Sequence, residues 1–557
     1  MEMEQFKQSL LKYLFVEKTF EDEDAERQKQ MTDEEKIESD LLLVGVSVVS
    51  QDENIYELNV PDNYSKLRAG DKVVLNDTNL LLSFDATITD VYFDTITVMC
   101  DKQLDTSSTF TIEQKSPQLL NTLISCLEGI YSGIPGAAFL RLLSGEEPFE
   151  TEDFLKVNID DVPNFEGIKK RMNNEQLNAV SNMLEYPPVH VLQGPPGTGK
   201  TLVLAATAIA SAHMNREVVV IANTHHAVNN ALQKIKSLDK NATVIKVGSL
   251  LKAEELDDNV IKFSTFKEYY EYSYKNRKKK RTGHIIGLTI WGALTYIGLR
   301  HHAHFRPYHA LIDEASLMPL SLATILGKTA PSVCLFGDSR QMRPIFRSEL
   351  EQNTMSKSIL DYCAENIEGV KVDVLHTTYR MNNEITECVS KSFYEPHGIR
   401  LVSSETSSGN RLDFHGNTDS LQWINIETDN EHVEENIEEA ECISNIVKEL
   451  LSMGLTSNDI AVVTPYRKQV SLIRSTTRNL VEEKEMPLID TVERLQGQDV
   501  DCVIISFART SASNIDFIFN PNRLNVMISR AKRKVFFITS NDVGEKLRKL
   551  LDMNNKT

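Results

Sequence analysis

Short apolar runs alternate with helical stretches from about residue 172 to the end of the chain. The runs are VHVLQ, EVVVIAN, YHALIDEA, SVCLFGD, DIAVVTPY, DCVIISFA and VFFIT. A strand that is apolar on both faces is typical of a parallel sheet covered by helices on each side. The pattern therefore predicts an α/β fold with two parallel sheets, and the chain is expected to pass from the first to the second near residue 346.

The first third of the chain has a different pattern. Residues 1–40 contain 13 acidic and 6 basic residues and no Gly or Pro, which predicts an acidic, solvated helix or stalk. In residues 41–115, short β-rich runs are separated by turn signals such as PDN and AGD, which predicts a small β-barrel. Such a barrel either binds oligonucleotides or is purely structural. Residues 116–172 are expected to form a helical linker.

Composition and charge narrow the class of protein. Of the 557 residues, 41% are apolar and 25% charged, so the chain is too apolar to be wholly disordered. The net charge of −20 argues against nucleic-acid binding, because phosphate recognition needs positive surface. A binding groove is a local feature, however, and much of the excess acid lies in residues 1–40 and 431–441. The total charge is therefore compatible with a locally basic groove.

Cysteine usage and the apolar runs bear on the compartment. The seven cysteines are far apart, and scattered thiols without a secretory signal suggest a reducing compartment. The N-terminus has neither the basic flank nor the apolar core of a signal peptide. The most apolar run, residues 285–299, is shorter than the roughly 20 residues that span a bilayer. A soluble, cytoplasmic protein without a membrane partner is expected.

A glycine-rich loop follows the strand VHVLQ and precedes the helix-forming TLVLAATAIA. This strand, loop and helix context is that of a phosphate-binding loop. Backbone N–H groups converge on the phosphates, Lys200 reaches the β- and γ-phosphates, and the Thr201 hydroxyl is a ligand for Mg²⁺. The predicted nucleotide-binding residues are Gly194, Pro195, Pro196, Gly197, Thr198, Gly199, Lys200 and Thr201.

Two acids end a second apolar strand, HALIDEAS. In a chain with a phosphate-binding loop, Asp313 is expected to hold Mg²⁺, directly or through water. Glu314 is then the candidate general base that polarises the attacking water. The sequence alone thus indicates an ATP-hydrolysing site.

Further segments resemble the ordered motifs of the superfamily 1 helicases, and within them those of the Upf-like, 5′→3′ branch (superfamily 1B). They are MNNEQ at 172–176, GDSRQMRP at 337–344, LHTTYRMNNEI at 375–385 and NRLNVMISRAK at 522–532. The resemblance covers residues 172–541, while the barrel fits the family more loosely. It implies two RecA-like P-loop NTPase domains, residues 173–345 and 346–557, with ATP and Mg²⁺ bound between them.

The resemblance also implies a role for each nucleotide-site residue. Gln176 reads the adenine, Tyr379 is a candidate ring to stack on it, and Gln341 senses the γ-phosphate. Arg380 and Arg530 are arginine fingers, and Asp499 lines the cleft together with Gln496 and Gly497. Taken singly, Gln176 could instead cap a helix and Arg380 could pair with a surface acid. The order of the motifs favours the helicase interpretation, since Lys200, Asp313 and Gln341 fall on one sheet and both arginines on the other.

The nucleic-acid contacts implied by the family lie at strand ends. They are Thr224, Thr289, Thr464 and Thr491, in the segments ANTHHAVN, IGLT, TPYR and DTVERLQGQD. The family also places a helical insertion in about residues 233–283, which end in the basic run KNRKKKR with Lys278, Lys279 and Lys280. This run is either a phosphate-contacting arm or a solvated loop. The nearby His301, His302 and His304 lack a cysteine to complete a zinc site, and we assign no metal to them.

Four positions depart from the family pattern. Arg343 replaces a proline, Leu317 stands where many members have Gln, Glu493 replaces Asp and Asp499 replaces Glu. The first two lie on the route that couples ATP to the strand, so they put unwinding in more doubt than hydrolysis.

The expected function is an ATP-dependent helicase or translocase of 5′→3′ polarity on single-stranded or tailed DNA or RNA. The main alternative is a nucleic-acid-gated ATPase switch or remodeler without processive unwinding. A nuclease fused to an ATPase ranks lower, since residues 1–172 carry no recognisable set of cleavage-site carboxylates and lysine. A protein partner is expected, if anywhere, at the acidic N-terminal region.

Overall fold

The fold is described from a computed structural model. It describes residues 2–39, 41–52, 54–60, 65, 67, 71–91, 95–114, 119–131, 137–147, 157–248, 250, 253, 256–276, 283–298, 307–344, 346, 354–427, 432–493, 495, 497, 499–511 and 518–551. These residues form two compact units. The smaller is built from Lys12–Ser125, and the larger from Met1–Leu11, Cys126–Phe346 and Leu350–Thr557.

The smaller unit contains a closed antiparallel barrel with strand order β1-β2-β5-β4-β3-β6. Alternate residues of each strand point inward, as in KVVLND of β3, where Val73 and Leu75 are buried. Tyr56 and Phe110 fill the barrel core. The strands are β1 Leu42–Asp52, β2 Ile55–Asn59, β3 Lys72–Asp77, β4 Ser83–Val91, β5 Thr95–Met99 and β6 Thr109–Gln114.

The N-terminal stalk is not fully solvated. Helix α1 (Met3–Gln30) buries Phe6 and Leu10, and the ring centroids of Phe6 and Tyr362, both in the larger unit, lie 5.7 Å apart. Lys7 Nζ donates to the carbonyl of Ile130 at 2.9 Å. The high acid content hid this apolar face from the sequence analysis. The following helices are α2 Asp33–Glu38, α3 Leu119–Glu128, α4 Ala137–Ser144 and α5 Glu166–Lys169.

The first sheet of the larger unit is parallel and has the order β10-β9-β11-β8-β12-β13-β7-β14. Its strands are β7 Val189–Gln193, β8 Val218–Ala222, β9 Val244–Val247, β10 Ile261–Phe263, β11 Ile285–Thr289, β12 His309–Ile312, β13 Ser332–Gly337 and β14 Val372–Val374. Its helices are α6 Asn174–Leu184, α7 Lys200–His213, α8 His225–Leu238, α9 Phe266–Asn276, α10 Ile290–Gly298, α11 Leu320–Ala323 and α12 Ile359–Asn366.

Two features of this sheet differ from expectation. The segment at 233–283 is not a purely helical insertion, because among its described residues β9 and β10 extend the sheet edge, next to the end of α8 and the helix α9. The sheet also takes β14 from beyond residue 346, paired with β7, so the chain leaves it after residue 374. Both differences have the same physical reason. The strands β9, β10 and β14 have only three or four residues and contain a polar residue, such as Lys246 or Asp373.

The second sheet is also parallel, with order β17-β21-β20-β18-β19. Successive residues of β20 enter two separate cores, Val503 and Ile505 on one face and Cys502 and Ile504 on the other. This burial on both faces explains the fully apolar runs. The remaining strands are β15 Thr377–Thr378, β16 Val402–Ser403, β17 Leu421–Asn425, β18 Ile460–Val463, β19 Leu488–Asp490, β20 Val500–Ser506 and β21 Ala531–Thr539.

The helices of the second domain are α13 Asn383–Val389, α14 Glu405–Ser408, α15 Ile437–Ser452, α16 Arg467–Arg478, α17 Pro521–Ser529 and α18 Asn541–Leu550. Two parallel sheets covered by helices make the mixed α/β fold of two RecA-like domains, as predicted. In the part of the chain that the structure describes, we find no helix long and apolar enough to cross a membrane.

Candidate nucleotide and strand-binding site

The predicted phosphate-binding residues form one loop between β7 and α7. Gly197 and Gly199 have φ values of 71° and 90°, in the left-handed region that glycine adopts without strain. The Lys200 side chain folds across Gly194 and its Nζ donates to the Gly194 carbonyl. Thr198 Oγ1 donates to the Pro195 carbonyl at 2.7 Å. The loop is thus closed by its own side chains, with Lys200 and Thr201 in the first turn of α7.

Gln176 supports this loop. Its Nε2 donates to the Thr198 carbonyl at 2.8 Å, and its Oε1 accepts from the Asn173 N–H at 3.1 Å in a capping box that starts α6. The side chain is 1% exposed. Gln176 therefore does take part in capping a helix, as the alternative interpretation predicted, and its adenine-reading role stays a prediction.

The segment that enters the second domain lies against the same loop. Thr378 Oγ1 donates to the Pro196 carbonyl at 2.9 Å, and the Tyr379 N–H donates to the Gly197 carbonyl at 2.8 Å. The Tyr379 hydroxyl accepts from Asn173 Nδ2 at 2.9 Å, and the side chain is 46% exposed. An exposed ring beside the phosphate loop is suitably placed to stack on a base.

The acid pair lies at the carboxyl end of β12. Burial, and after it the negative charge of Glu314, raises the pKa of Asp313, and the positive charge of Lys200 opposes both effects. Glu314 has a φ of 53°, a left-handed conformation that is strained for a non-glycine residue. A buried carboxylate beside a like charge is stabilised by a cation, so Asp313 and the Thr201 hydroxyl suit Mg²⁺, which prefers oxygen ligands.

Both predicted arginine fingers point into the cleft between the two sheets. Arg530 Nη2 donates to Gln341 Oε1 at 3.1 Å, and this contact joins the second domain to the first. Arg380 Nη1 donates to the Ser529 carbonyl at 3.1 Å, and its Nε lies 3.9 Å from Asp499 Oδ2. Burial lowers the pKa of Arg530 to about 10, with the charge of Arg380 as the next cause. The guanidinium is still positive at neutral pH.

The predicted strand contacts divide into exposed and buried positions. Thr224 is exposed and caps α8, since its Oγ1 accepts from the Ala227 N–H at 3.2 Å. Thr289, Thr464 and Thr491 are 8%, 0% and 6% exposed. Thr224 thus offers the more accessible hydroxyl, and the role of the three buried threonines as strand contacts stays a prediction. Lys278, Lys279, Lys280, the three histidines near residue 302 and Gln496 lie outside the described residues.

Comparison with known proteins shows which families the chain is similar to. Two family models described as an AAA domain match residues 171–362 and 355–542. The "DNA replication ATP-dependent helicase/nuclease dna2" of Schizosaccharomyces pombe is 26% identical over 69% of this chain and 29% of its own length. The "Regulator of nonsense transcripts 1 homolog" of Arabidopsis thaliana is 26% identical over 65% of this chain and 32% of its own.

The two AAA-domain models and these helicase relatives together indicate that the chain is similar to the superfamily 1 P-loop helicases of the Upf-like group. It spans about a third of the length of these curated helicase relatives. Among solved structures, an Arterivirus nonstructural protein 10 helicase aligns with a TM-score of 0.42 and 13% identity, covering 90% of this chain and 80% of the viral one.

The departures from the helicase pattern have visible consequences. Leu317, where many members have Gln, packs against the apolar core of the second domain. Glu493 pairs with Arg523 at 3.2 Å, and Asp499 Oδ2 lies 3.4 Å from Lys532 Nζ. Arg343 is exposed. Leu317 thus adds an apolar contact between the two domains.

Sequence reasoning did not identify Asp338 as a site residue. It follows β13, is 2% exposed, and its Oδ1 accepts from Gln193 Nε2 at 2.7 Å and from the Arg340 N–H at 3.0 Å. Gln193 directly precedes the phosphate loop, so Asp338 ties that loop to the segment with Gln341. Asp338 could have been identified from the GDSRQ motif, in which the sequence analysis assigned a role to Gln341 alone.

Proposed function

We propose that this chain is an ATP-dependent nucleic-acid motor that hydrolyses ATP between its two RecA-like domains and moves 5′→3′ on a single strand. The contact of Arg530 with Gln341 carries the proposal, because it brings a cation of the second domain to the γ-phosphate sensor of the first. A nucleotide held by such a composite site favours the closed cleft, and release of the phosphate after hydrolysis removes the charge that holds it closed.

Each chemical role falls to a residue of this chain. The loop amides and Lys200 bind the β- and γ-phosphates, and Arg380 and Arg530 neutralise the charge that develops on transfer. Glu314 accepts the proton of the attacking water. Asp313 and Thr201 would hold Mg²⁺, which when bound neutralises phosphate charge and orients the β- and γ-oxygens.

The substrate class is single-stranded or tailed nucleic acid. Thr224 offers its exposed hydroxyl at the start of α8, where backbone N–H groups also favour phosphate. Contacts of this kind read no base sequence. The relatives' names include both DNA replication and nonsense transcripts, so DNA and RNA are both proposed substrates.

A nucleic-acid-gated ATPase switch is the second candidate. The burial of Thr289, Thr464 and Thr491 favours it, since a domain that offers few strand contacts grips weakly between ATP turnovers. The apolar Leu317 at the coupling position points the same way.

ATP turnover and strand separation, measured together, distinguish these functions. We expect turnover to rise when oligo(dT) or oligo(rU) is added, and a 5′-tailed duplex to be separated while a 3′-tailed duplex is not. Stimulated turnover without separation of either duplex would select the switch. ATP turnover that ignores both oligonucleotides would contradict the motor and the switch alike.

A further inference from the structure

The carboxylate of Asp338 is shared between the two RecA-like domains. Its Oδ2 accepts from Gln341 Nε2 at 2.8 Å and from the Tyr394 hydroxyl at 2.6 Å. With the two donors on Oδ1, this buried charge is fully hydrogen-bonded, as a buried carboxylate must be to persist. Three of the donors belong to the first domain, and Tyr394 is the contribution of the second.

Tyr394 is built into the second domain. Its side chain is 0% exposed and belongs to the apolar core below β20 and α17. Its hydroxyl also accepts from Asn525 Nδ2 of α17 at 2.8 Å, and the same amide donates to the Arg340 carbonyl at 2.7 Å. A short chain of hydrogen bonds therefore runs from α17 through Tyr394 to Asp338.

This series of hydrogen bonds determines the orientation of the Gln341 side-chain amide. When Gln341 Nε2 faces Asp338, its Oε1 faces the cleft, where Arg530 Nη2 donates to it. If Asp338 turned away, the amide would lose the bond that fixes its orientation. Asn525 lies in the middle of α17 and Arg530 follows directly after its end, so one helix carries both the amide that bonds Tyr394 and the arginine that contacts Gln341.

We propose that Tyr394 is a positioning residue that fixes the Gln341–Arg530 contact across the cleft by holding the Asp338 carboxylate. The proposal rests on the proposed ATPase function and names the group that sets its interdomain geometry. A hydrogen bond from a neutral hydroxyl to a buried carboxylate is charge-assisted and among the stronger ones in proteins. Burial and the charge of Asp338 raise the pKa of Tyr394 well above its ordinary value, so the hydroxyl stays a donor.

Tyr394→Phe tests the proposal because it removes the hydroxyl and keeps the ring. The matched control is Tyr362→Phe, since the Tyr362 hydroxyl is also buried and donates to the Leu143 carbonyl at 2.8 Å, away from the cleft. We expect Tyr394→Phe to lower oligo(dT)-stimulated kcat about tenfold or more, with KM for ATP within about twofold of wild type. Tyr362→Phe should leave both constants within about twofold.

Hydrogen exchange gives a second readout that does not depend on ATP turnover. We expect peptides covering residues 337–341 and 521–529 to exchange faster in Tyr394→Phe, and not in Tyr362→Phe. Unchanged exchange, or wild-type kcat in Tyr394→Phe, would overturn the positioning role. Equal losses of kcat in the two variants would overturn it as well, because a general loss of stability would then explain both.

The same experiment separates this proposal from the proposed function. If wild-type turnover does not respond to the oligonucleotide, the motor and switch functions fail, and basal kcat replaces the stimulated value in the comparison of the two variants. Basal kcat and hydrogen exchange then decide the role of Tyr394 by the same criteria.

Discussion

Single buried charges, each beside a partner, define the nucleotide site. Arg530 faces Gln341, Arg380 lies near Asp499, and Asp313 lies near Lys200. Removing the charge of Lys200 would leave the Asp313 carboxylate buried and uncompensated, which costs more than the pair contributes. Substitutions at these positions are therefore best judged by ATP turnover and ATP affinity measured together.

The Glu314→Gln variant tests the assignment of the general base. Gln keeps the shape of the side chain and cannot accept the proton of the attacking water, so ATP turnover should fall by about 100-fold or more. Binding of a fluorescent ATP analogue should persist, whereas Lys200→Ala should weaken that binding. Normal turnover in Glu314→Gln would show that another group is the base.

A second buried acid gives a pH dependence of stability. Glu439 is completely buried, and burial raises its pKa from 4.5 to about 7, although Ser506 Oγ donates to it at 2.6 Å. When the pKa of an acid is higher in the folded than in the unfolded chain, its full contribution to stability is present at pH values below the unfolded pKa. That contribution is lost as the pH rises through the folded-state pKa of about 7.

Glu439→Gln should therefore change the pH dependence of the melting temperature. The wild type should lose stability relative to the variant between about pH 5 and about pH 8, by up to roughly 3 kcal/mol. Thermal denaturation of both proteins across this range makes the comparison. Parallel curves would mean that Glu439 does not titrate differently on folding.

At the scale of elements, the phosphate loop is held between α6 and the β15 segment. Gln176 donates to it from one side, and Thr378 and Tyr379 donate to it from the other. A Cβ on Gly197 would lie 2.5 Å from Arg380 Cβ and 2.6 Å from Thr378 Oγ1. The loop thus needs glycine here for its close approach to the second domain as well as for its φ.

Comparing Gly197→Ala with Gly398→Ala should separate the effect of the positive φ from the effect of the close approach to the second domain. Gly398 has a similar φ of 77° but nothing within 4 Å of an added Cβ. In both variants the left-handed backbone conformation should lower the free energy of unfolding by about 1 kcal/mol. Only Gly197→Ala should also lose ATP turnover. Similar turnover in the two variants would argue that the domains do not meet at this loop.

The sequence predicted most of the sheets but not their edges. Strands such as VVVIA and CVIIS were predictable because both faces are buried, whereas β9, β10 and β14 are short and interrupted by polar residues. The loop, acid and arginine residues could be predicted because their motifs have a fixed spacing. Tyr394 was not, because its partner Asp338 is 56 residues away and no pattern links them. Three of the four threonines predicted to contact the strand are buried, which the sequence does not indicate, and Thr224 is exposed.

For the whole molecule, the net charge of −20 limits how nucleic acid can be bound. Affinity should depend on a few local cations and fall steeply with salt. Replacing Lys278, Lys279 and Lys280 by Ala should weaken binding to oligo(dT) and flatten its salt dependence. The control replaces three lysines of α1, Lys12, Lys18 and Lys29, which changes the total charge equally. Equal effects of the two triple variants would show that overall charge, and no basic arm, sets affinity.

We propose above that ATP is hydrolysed in a site shared by the two RecA-like domains. The most direct measurement compares ATP turnover on a saturating single strand for the wild type and Arg530→Ala, with ATP affinity measured alongside. The shared site predicts a fall in kcat of about 100-fold or more at little change in affinity, since Arg530 comes from the second domain and acts on the developing charge. Wild-type turnover in Arg530→Ala would show that the first domain hydrolyses ATP without the second.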